Sequence, residues 1–268
     1  MKYHCYNFFK KIIKNSLKIC PILAVFITGC CHIKHTNPDP LEKPNRAFFY
    51  VNNKIDYVAL KPAATIYSTI LPKPVRASVT NFFNNFLMPN TIGNDILQGD
   101  FYFALQDTWR FAINSTLGIG GLFDVGKHIG LPPHNTDFGI TMMKWGWRHS
   151  TYIVVPFWGP TTIRDGLGSF ADYYAFSPYF WLLRTTALRT GFWAVQGVNI
   201  RANLLQYNKL YKQVAFDPYI FTRNIFLQRR QMMLKQSIAN TGFKPPQPFS
   251  KKSEAEQIRI MRHTQWYY

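Results

Sequence analysis

The cysteines are the most reactive side chains of this chain, and all four stand at or before position 31. Cys30 and Cys31 are followed by His32 and His35, and thiolate and imidazole groups are the usual ligands of zinc. Cys30 also closes the stretch Ile27-Thr28-Gly29, which resembles a lipobox, the motif whose cysteine becomes acylated. We therefore predict that Cys30 is lipidated. An acylated cysteine has no thiolate to bind a metal, so we predict no metal and no cofactor.

The segment before Cys30 has the composition of a secretory signal. Five lysines stand among its first eighteen residues, and no acidic residue precedes Asp39. The apolar run at 19–29 is shorter than the about 20 residues that span a bilayer. We interpret residues 1–29 as a lipoprotein signal peptide and residues 30–38 as a lipidated tether. The alternative is an ordinary signal peptide that is cut near Gly29 and leaves Cys30 unmodified. Cys31, where an aspartate would favour the inner membrane, permits sorting to the outer membrane.

The composition points to a lipid environment. The formal net charge is +18, and the chain stays basic without the lysines of the signal. Basic proteins bind nucleic acid or anionic lipid, and an exported lipoprotein seldom meets nucleic acid. Charged residues make up only 16% of the chain and aromatic residues 17%. We therefore expect phospholipid as a partner, no nucleic acid, and a surface that partly faces lipid or protein.

The chain lacks the motifs of the lipid enzymes that its location would suit. No G-x-S-x-G elbow and no H-E-x-x-H pair is present in the sequence. His128, His134 and His149 have no serine or cysteine in a recognisable nucleophile setting, so we interpret them as structural or surface residues. We predict that the protein is not an enzyme.

A glycine-rich segment follows position 117, with Gly118, Gly120 and Gly121 at its start. Its spacing matches neither phosphate-binding glycine motif, and no clear strand precedes it. Glycines let the backbone turn and approach other groups closely. We predict a structural turn or a gate.

Hydrophobic periodicity and capping residues predict a mostly helical fold. The first predicted helix begins at Asp39 or at Pro44 and runs to Leu60, with an end at Lys61-Pro62. The others cover 75–86, 90–97, 101–115, 137–146, 161–170, one long helix or two bent pieces over 178–212, and 217–230. The β-branched stretch 151–157 has no comparable partner nearby, which favours a buried extended segment over a sheet. Residues 235–268 are polar, basic and contain prolines, which predicts a flexible tail.

An ordered set of short motifs runs through residues 39–232. The motifs include Asp39-Pro-Leu-Glu42, Gln98-Gly99-Asp100, Arg110-Phe-Ala-Ile-Asn-Ser-Thr-Leu-Gly118, Gly121-Leu-Phe-Asp124, Asp137-Phe-Gly139, Trp145-Gly146, Arg164-Asp165-Gly166, Arg201-Ala-Asn-Leu-Leu205 and Asp217-Pro-Tyr-Ile220. Together they resemble the MlaA (VacJ) family of outer-membrane lipoproteins. The resemblance makes 39–234 one helical domain. It implies a ring-like arrangement of amphipathic helices embedded in the outer-membrane interface, without a transmembrane helix in the mature chain.

The same resemblance implies a function in the Mla phospholipid transport pathway. Members remove mislocalised glycerophospholipids from the outer leaflet through a central amphipathic channel, and so maintain lipid asymmetry. They pass the lipid to the periplasmic carrier MlaC and associate with trimeric porins. A phosphate group in such a channel needs positive charge, for which Arg184 and Arg189 are candidates; both can instead be solvated or interfacial charges. A structural, porin-associated lipoprotein without its own channel is the alternative.

Overall fold

The computed structural model describes residues 39–239. Most of these residues are helical, which confirms the predicted fold class. The α-helices are α1 (Glu42–Ile55), α2 (Lys61–Ile70), α3 (Lys73–Phe86), α4 (Met88–Gln98), α5 (Phe101–Thr116), α6 (Val125–His128), α7 (Phe138–Lys144), α8 (Ile163–Ala175), α9 (Pro178–Trp181), α10 (Thr186–Leu204), α11 (Asn208–Val214) and α12 (Pro218–Ala239). In this part of the chain, no helix is both long and apolar enough to cross a membrane.

The first helix does not end where the sequence predicted. A π-helical turn, Asp56–Leu60, joins α1 to α2, so that the chain stays helical through Lys61-Pro62. Pro62 lies in the first turn of α2, directly after the π-helical turn. The predicted end at Lys61-Pro62 is therefore wrong.

Several helix starts are fixed by capping side chains, although Asp100, a predicted cap, makes no capping hydrogen bond. Asp137 accepts a hydrogen bond from the Ile140 N–H at the start of α7. Thr162 accepts one from the Asp165 N–H at the start of α8. These bonds satisfy N–H groups that have no partner within the helix.

A short antiparallel hairpin interrupts the helices. Strand β1 (Tyr152–Val155) pairs with strand β2 (Gly159–Thr162), in a register that sets Tyr152 opposite Thr162 and Val155 opposite Gly159. The predicted unpaired extended segment is therefore wrong. The sequence analysis missed strand β2 because it contains Pro160. Proline cannot donate to a ladder of hydrogen bonds and is found on edge strands.

The region 178–214 is more broken than the sequence predicted. The helices α9 and α10 are separated by four residues, and a 3-10 turn (Leu205–Tyr207) separates α10 from α11. Thr185 caps α10 by accepting from the Leu188 N–H, so a new helix begins there. Arg184 thus lies in a connection, and the prediction that placed it on a long helix is wrong.

The last helix continues well beyond its predicted end near Arg229-Arg230. Helix α12 reaches Ala239 and crosses the predicted domain boundary at residue 234. Near its end the Ser237 hydroxyl is buried and donates to Gln98 Oε1 at 2.7 Å. The polar sequence beyond Arg230 led to a predicted helix end that is too early. Polar residues are compatible with packing there, because this end of the helix contacts the polar interior.

Aromatic side chains form two packed groups. Tyr152 and Val154 of β1 pack with Tyr219 of α12, against the partly buried Phe49 of α1. The second group joins α3 to α9 and α10 through rings whose centroids lie 5.2–6.4 Å apart: Phe82, Phe83, Phe86, Tyr179 and Phe192. Edge-to-face pairs of this kind add to the gain from burial.

Two asparagines of α1 hold the hairpin. The buried Asn45 donates to the Tyr152 carbonyl at 3.1 Å and accepts from the Val154 N–H at 2.9 Å. Seven residues on, Asn52 makes the same kind of pair with Val155 O and Phe157 N. Because seven residues are about two helical turns, both side chains lie on one face of α1.

We predict that Asn45→Ala lowers the free energy of unfolding by about 2 kcal/mol, because it leaves two buried backbone groups without partners. Asn53→Ala is the control, since the Asn53 side chain is exposed on the same helix. Urea unfolding in detergent, followed by circular dichroism, measures both variants. Equal losses in the two variants would contradict the role given to Asn45.

Candidate functional site

The interior of this protein is polar. Among residues 41–239, twenty-two buried residues are polar or charged, whereas twelve are hydrophobic. Globular proteins in water show the opposite distribution, with charged residues almost never fully buried unless they are paired. The interior is therefore held largely by hydrogen bonds and ion pairs, and three of their networks lie near the sequence motifs and the glycine-rich segment.

The first network surrounds Arg230 of α12. Its guanidinium pairs with Asp137 at the start of α7 and with Asp165 of α8, with Nη2–Oδ1 distances of 2.8 Å to each. Arg164 pairs with the same Asp165 oxygen, also at 2.8 Å. Burial alone would raise the pKa of Asp137, but the charge and hydrogen bonds of Arg230 outweigh it and hold this pKa below its ordinary value.

Glycines make room for this network. A Cβ atom on Gly139 would collide with the Asp165 carboxylate and the Arg230 guanidinium, and one on Gly168 would collide with the backbone of Gly139. The ion pairs therefore form only because α7 and α8 cross closely at two glycines.

The second network lies between α4, α7 and α8. Asp172 accepts hydrogen bonds from Asn94 Nδ2 at 2.6 Å and from the Phe138 N–H at 2.9 Å. Burial raises the pKa of Asp172 to about 6, although these two donors oppose the rise. Thr141 donates to Asn94 and accepts from Gln98, which continues the network along α4.

The third network braces the glycine-rich segment. Arg110 of α5 pairs with Asp124 at 2.6 Å, and Asn114 donates to the other oxygen of that carboxylate. The Gly126 N–H donates to Asn114 Oδ1 at 2.8 Å. These bonds therefore hold the glycine-rich segment against α5, the helix that precedes it.

The three glycines predicted as a turn or gate form a turn. Gly120 and Gly121 have φ angles of 68° and 90°, a conformation that glycine adopts without strain. A Cβ on Gly118 would collide with the carbonyls of Asn114 and Phe123, and one on Gly121 with the Asn85 side chain. Each glycine is therefore required either by its backbone angles or by its neighbours.

The two arginines predicted for a lipid path lie at the corner between α9 and α10. Arg189 donates to the carbonyls of Leu183 at 2.8 Å and Phe180 at 3.2 Å, and its guanidinium lies 5.3 Å from the centre of the Phe180 ring. Arg184 is exposed in the connection itself. Within the described part of the chain, no hydrogen bond or ion pair joins this corner to the glycine turn. The predicted lipidation residue, Cys30, lies outside the described residues.

The exposed surface is apolar. Thirty-eight large hydrophobic residues of the described chain are exposed, among them Phe157 at 85%, Val58 at 72% and Leu117 at 71%. Single exposed hydrophobic residues are normal, but this number leaves large apolar areas that water does not favour.

Comparison with known proteins agrees with this architecture. The family model described as MlaA lipoprotein matches residues 37–233. The chain belongs to the MlaA lipoprotein family. The intermembrane phospholipid transport system lipoprotein MlaA of Escherichia coli K12 is 36% identical over 214 residues, which cover 78% of this chain and 81% of that protein. An uncharacterised protein of Rickettsia felis is 35% identical over 220 residues, or 82% of this chain and 84% of the relative.

A solved structure supports the same family. It comes from work on the structural basis for maintenance of bacterial outer membrane lipid asymmetry. Its TM-score with this chain is 0.65 at 33% sequence identity, and the match covers 73% of this chain and 98% of that one.

The MlaA-family motifs Asp137-Phe-Gly139 and Arg164-Asp165-Gly166 contain three residues of the first network, and Arg230 was predicted as part of a helix end. Arg230 is 93 positions from Asp137 and 65 from Asp165, so the sequence alone did not indicate their pairing.

We predict that Gly139→Ala lowers the free energy of unfolding by about 1–3 kcal/mol, because the added methyl group displaces the Arg230–Asp165 pair. Gly166→Ala is the matched control, since its Cβ would meet no atom within 4 Å. That control should raise stability by up to about 1 kcal/mol through helix propensity. Chemical unfolding in detergent measures both, and a neutral Gly139→Ala would be inconsistent with this close crossing.

The titration of Asp172 should make the free energy of unfolding fall as the pH rises. Its folded pKa of about 6 lies above the ordinary value of 3.8, so the folded state holds more protons between these values. The stability that Asp172 contributes is therefore greatest at low pH and is lost as the pH rises from 3.8 to above about 6.

The difference in unfolding free energy between wild type and Asp172→Asn isolates this contribution. We expect the difference to fall by about 2 kcal/mol from about pH 4 to about pH 7. A difference that does not change with pH would show that Asp172 titrates normally.

Proposed function

We propose that this protein is an outer-membrane lipoprotein of the Mla phospholipid transport pathway. It removes mislocalised glycerophospholipids from the outer leaflet through an amphipathic channel and passes them to the periplasmic carrier MlaC. It associates with a trimeric porin. Family membership supports transport in general, and the E. coli relative is named for intermembrane phospholipid transport.

The observation that supports this proposal most is the combination of a polar interior with an apolar surface. In water, the hydrophobic effect would favour the reverse arrangement. In a bilayer, lipid tails solvate the exposed apolar side chains, whereas the polar groups must be satisfied within the protein. A chain with this distribution is therefore suited to lie in the membrane and to offer a polar path to a headgroup.

Membrane attachment in this proposal begins at Cys30. One acyl chain gives only marginal binding, whereas two or more hold a protein stably. The exposed aromatic and aliphatic side chains add contact with the acyl region. Anchoring by Cys30 and embedding by the folded part are thus two separate contributions.

The phosphate of a passing lipid needs a cation that is not already engaged. Arg184 is exposed in the α9–α10 connection and suits this role, whereas the guanidinium of Arg189 is held by two carbonyls. We assign the phosphate contact to Arg184 and a positioning role to Arg189. The glycine turn, with Leu117 and Ile119 exposed beside it, is the candidate edge of the path.

A porin-associated scaffold without a channel is the second candidate function. The exposed tryptophans favour it, because aromatic side chains are enriched where proteins meet. They include Trp109, Trp145, Trp158 and Trp181. The scaffold requires the outer surface alone, whereas transport requires the inner path as well.

The test is complementation of an E. coli strain that lacks its own MlaA. The measurement is phospholipid exposed in the outer leaflet, together with porin recovered on purification of the tagged protein. Wild type should restore low surface phospholipid. Arg184→Glu should weaken that correction several-fold by repelling the phosphate, with porin recovery unchanged. Cys30→Ala should fail because the anchor is lost.

Arg148→Glu is the matched control, because Arg148 is also exposed in a connection and the change of charge is the same. It should correct the strain as well as wild type does. Failure of the wild type, with porin still recovered, would favour the scaffold. Equal effects of the two glutamate variants would remove Arg184 from the lipid path but keep the transport function.

A further inference from the structure

Three potential metal ligands converge where α4, α5 and the loop 131–137 meet. Asp95 belongs to α4, Asp107 to α5, and His134 to the loop. His134 Nδ1 lies 3.2 Å from Asp107 Oδ2 and 3.5 Å from Asp95 Oδ2. The ligand atoms of all three residues lie within 4.8 Å of one another.

The carboxylates at this point lack the donors that burial demands. Asp95 and Asp107 are completely buried. Both oxygens of Asp95 and the Oδ1 atom of Asp107 accept no hydrogen bond from any described residue. Buried carboxylates without donors are strongly disfavoured, and a bound cation is one of the few ways to compensate them. These unpartnered oxygens are the observation that points to a ligand.

The distances suit a tetrahedral metal ion. Two ligands bound to zinc at about 2.0–2.2 Å stand about 3.3–3.6 Å apart at the tetrahedral angle. The two histidine–carboxylate distances, 3.2 and 3.5 Å, are close to that separation. One imidazole and two carboxylates leave a fourth position for water.

The surroundings hold the histidine in place and leave it accessible. The Phe103 ring stacks on the His134 ring with centroids 4.5 Å apart. Gln106 of α5 donates to the Pro132 carbonyl, and Gln98 of α4 donates to the Thr136 hydroxyl. The His134 side chain is 18% exposed, which gives an ion a route to the buried carboxylates.

We propose that Asp95, Asp107 and His134 bind a divalent transition-metal ion, for which zinc is the probe. The ion cross-links α4 and α5 to the loop 131–137 and so fixes the chain between the glycine-rich segment and α7. The site is structural, because its ligands are buried and two adjacent helices supply the carboxylates. It is independent of the proposed lipid path.

A proton is the competitor of the metal. Burial alone would lower the pKa of His134, but Asp107 and Asp95 raise it to about 9. Without a metal, an imidazolium between the two carboxylates therefore carries the compensating charge. Metal binding must displace that proton, and the experiment has to separate the two states.

The experiment uses the full chain in detergent, stripped with EDTA and then titrated with ZnCl2. Wild type should bind one more equivalent of zinc than His134→Gln, by calorimetry and by metal analysis after desalting. At a free zinc concentration of about 100 times Kd, the Tm of wild type should rise by about 5 °C or more. His134→Gln and Asp107→Asn should show no such rise.

His149→Gln is the control, because His149 is exposed in a connection and outside the cluster. It should keep both the extra equivalent and the rise in Tm. Zinc held by Cys31, His32 and His35 would persist in His134→Gln, so the difference between the proteins excludes it.

A spectroscopic measurement on the wild type keeps the test valid if a variant does not fold. Co2+ should give visible d–d bands of a tetrahedral site with nitrogen and oxygen ligands, which are distinct from the thiolate charge-transfer band that Co2+ at Cys31 would add. Two outcomes would overturn the proposal. One is a wild type that shows neither those bands nor a rise in Tm with zinc. The other is that wild type and a folded His134→Gln variant bind the same amount of zinc and show the same rise in Tm. The cluster would then be an imidazolium ion pair.

Discussion

The fold depends on the Arg230 guanidinium, which joins the start of α7 to α8 through Asp137 and Asp165. Removing one member of a buried ion pair leaves an uncompensated charge and is strongly destabilising, commonly by about 3–5 kcal/mol. The three elements can meet only because Gly139 and Gly168 have no side chains. The last helix is thereby fixed to the middle of the chain, and Ser237, two turns further on, reaches Gln98 of α4. A single cation thus organises α7, α8 and α12.

This dependence on charge follows from where the apolar side chains are. Twelve buried hydrophobic residues form too small a core to hold about 200 residues together in water. Polar networks determine which groups pair, but each network yields little net free energy, because its members lose hydrogen bonds to water. The partly buried aromatic and aliphatic side chains that pack against one another add further stabilisation. Lipid or another protein that covered the exposed apolar surface would add more, because it would remove these side chains from water.

The local features of this fold were predictable, and the long-range ones were not. Caps such as Asp137 and Thr162 bond to groups three residues away, so they can be recognised in the sequence itself. The partner strand containing Pro160 and the continuation of α12 were missed for one reason. Both depend on groups distant in sequence, Tyr152–Val155 for the strand and Gln98 for the helix. Hydrophobic periodicity did locate the helix 75–86, whose Phe82, Phe83 and Phe86 pack against Phe192, but it gives no information on polar contacts between helices.

The same bonds limit what the glycine turn can do. Gly120 N and Gly121 N donate to the carbonyls of Ser115 and Asn114, and Phe123 N donates to Gly118 O. Asn114 and Arg110 then hold Asp124 just beyond the turn. A gate that opened within residues 118–121 would break several of these bonds together and expose their groups to the apolar surroundings, where each unsatisfied group costs several kcal/mol. If the turn borders the proposed lipid path, movement there is therefore easier when the turn shifts as a rigid unit. The exposed Leu117 and Ile119 side chains would then shift with it while the hydrogen bonds persist.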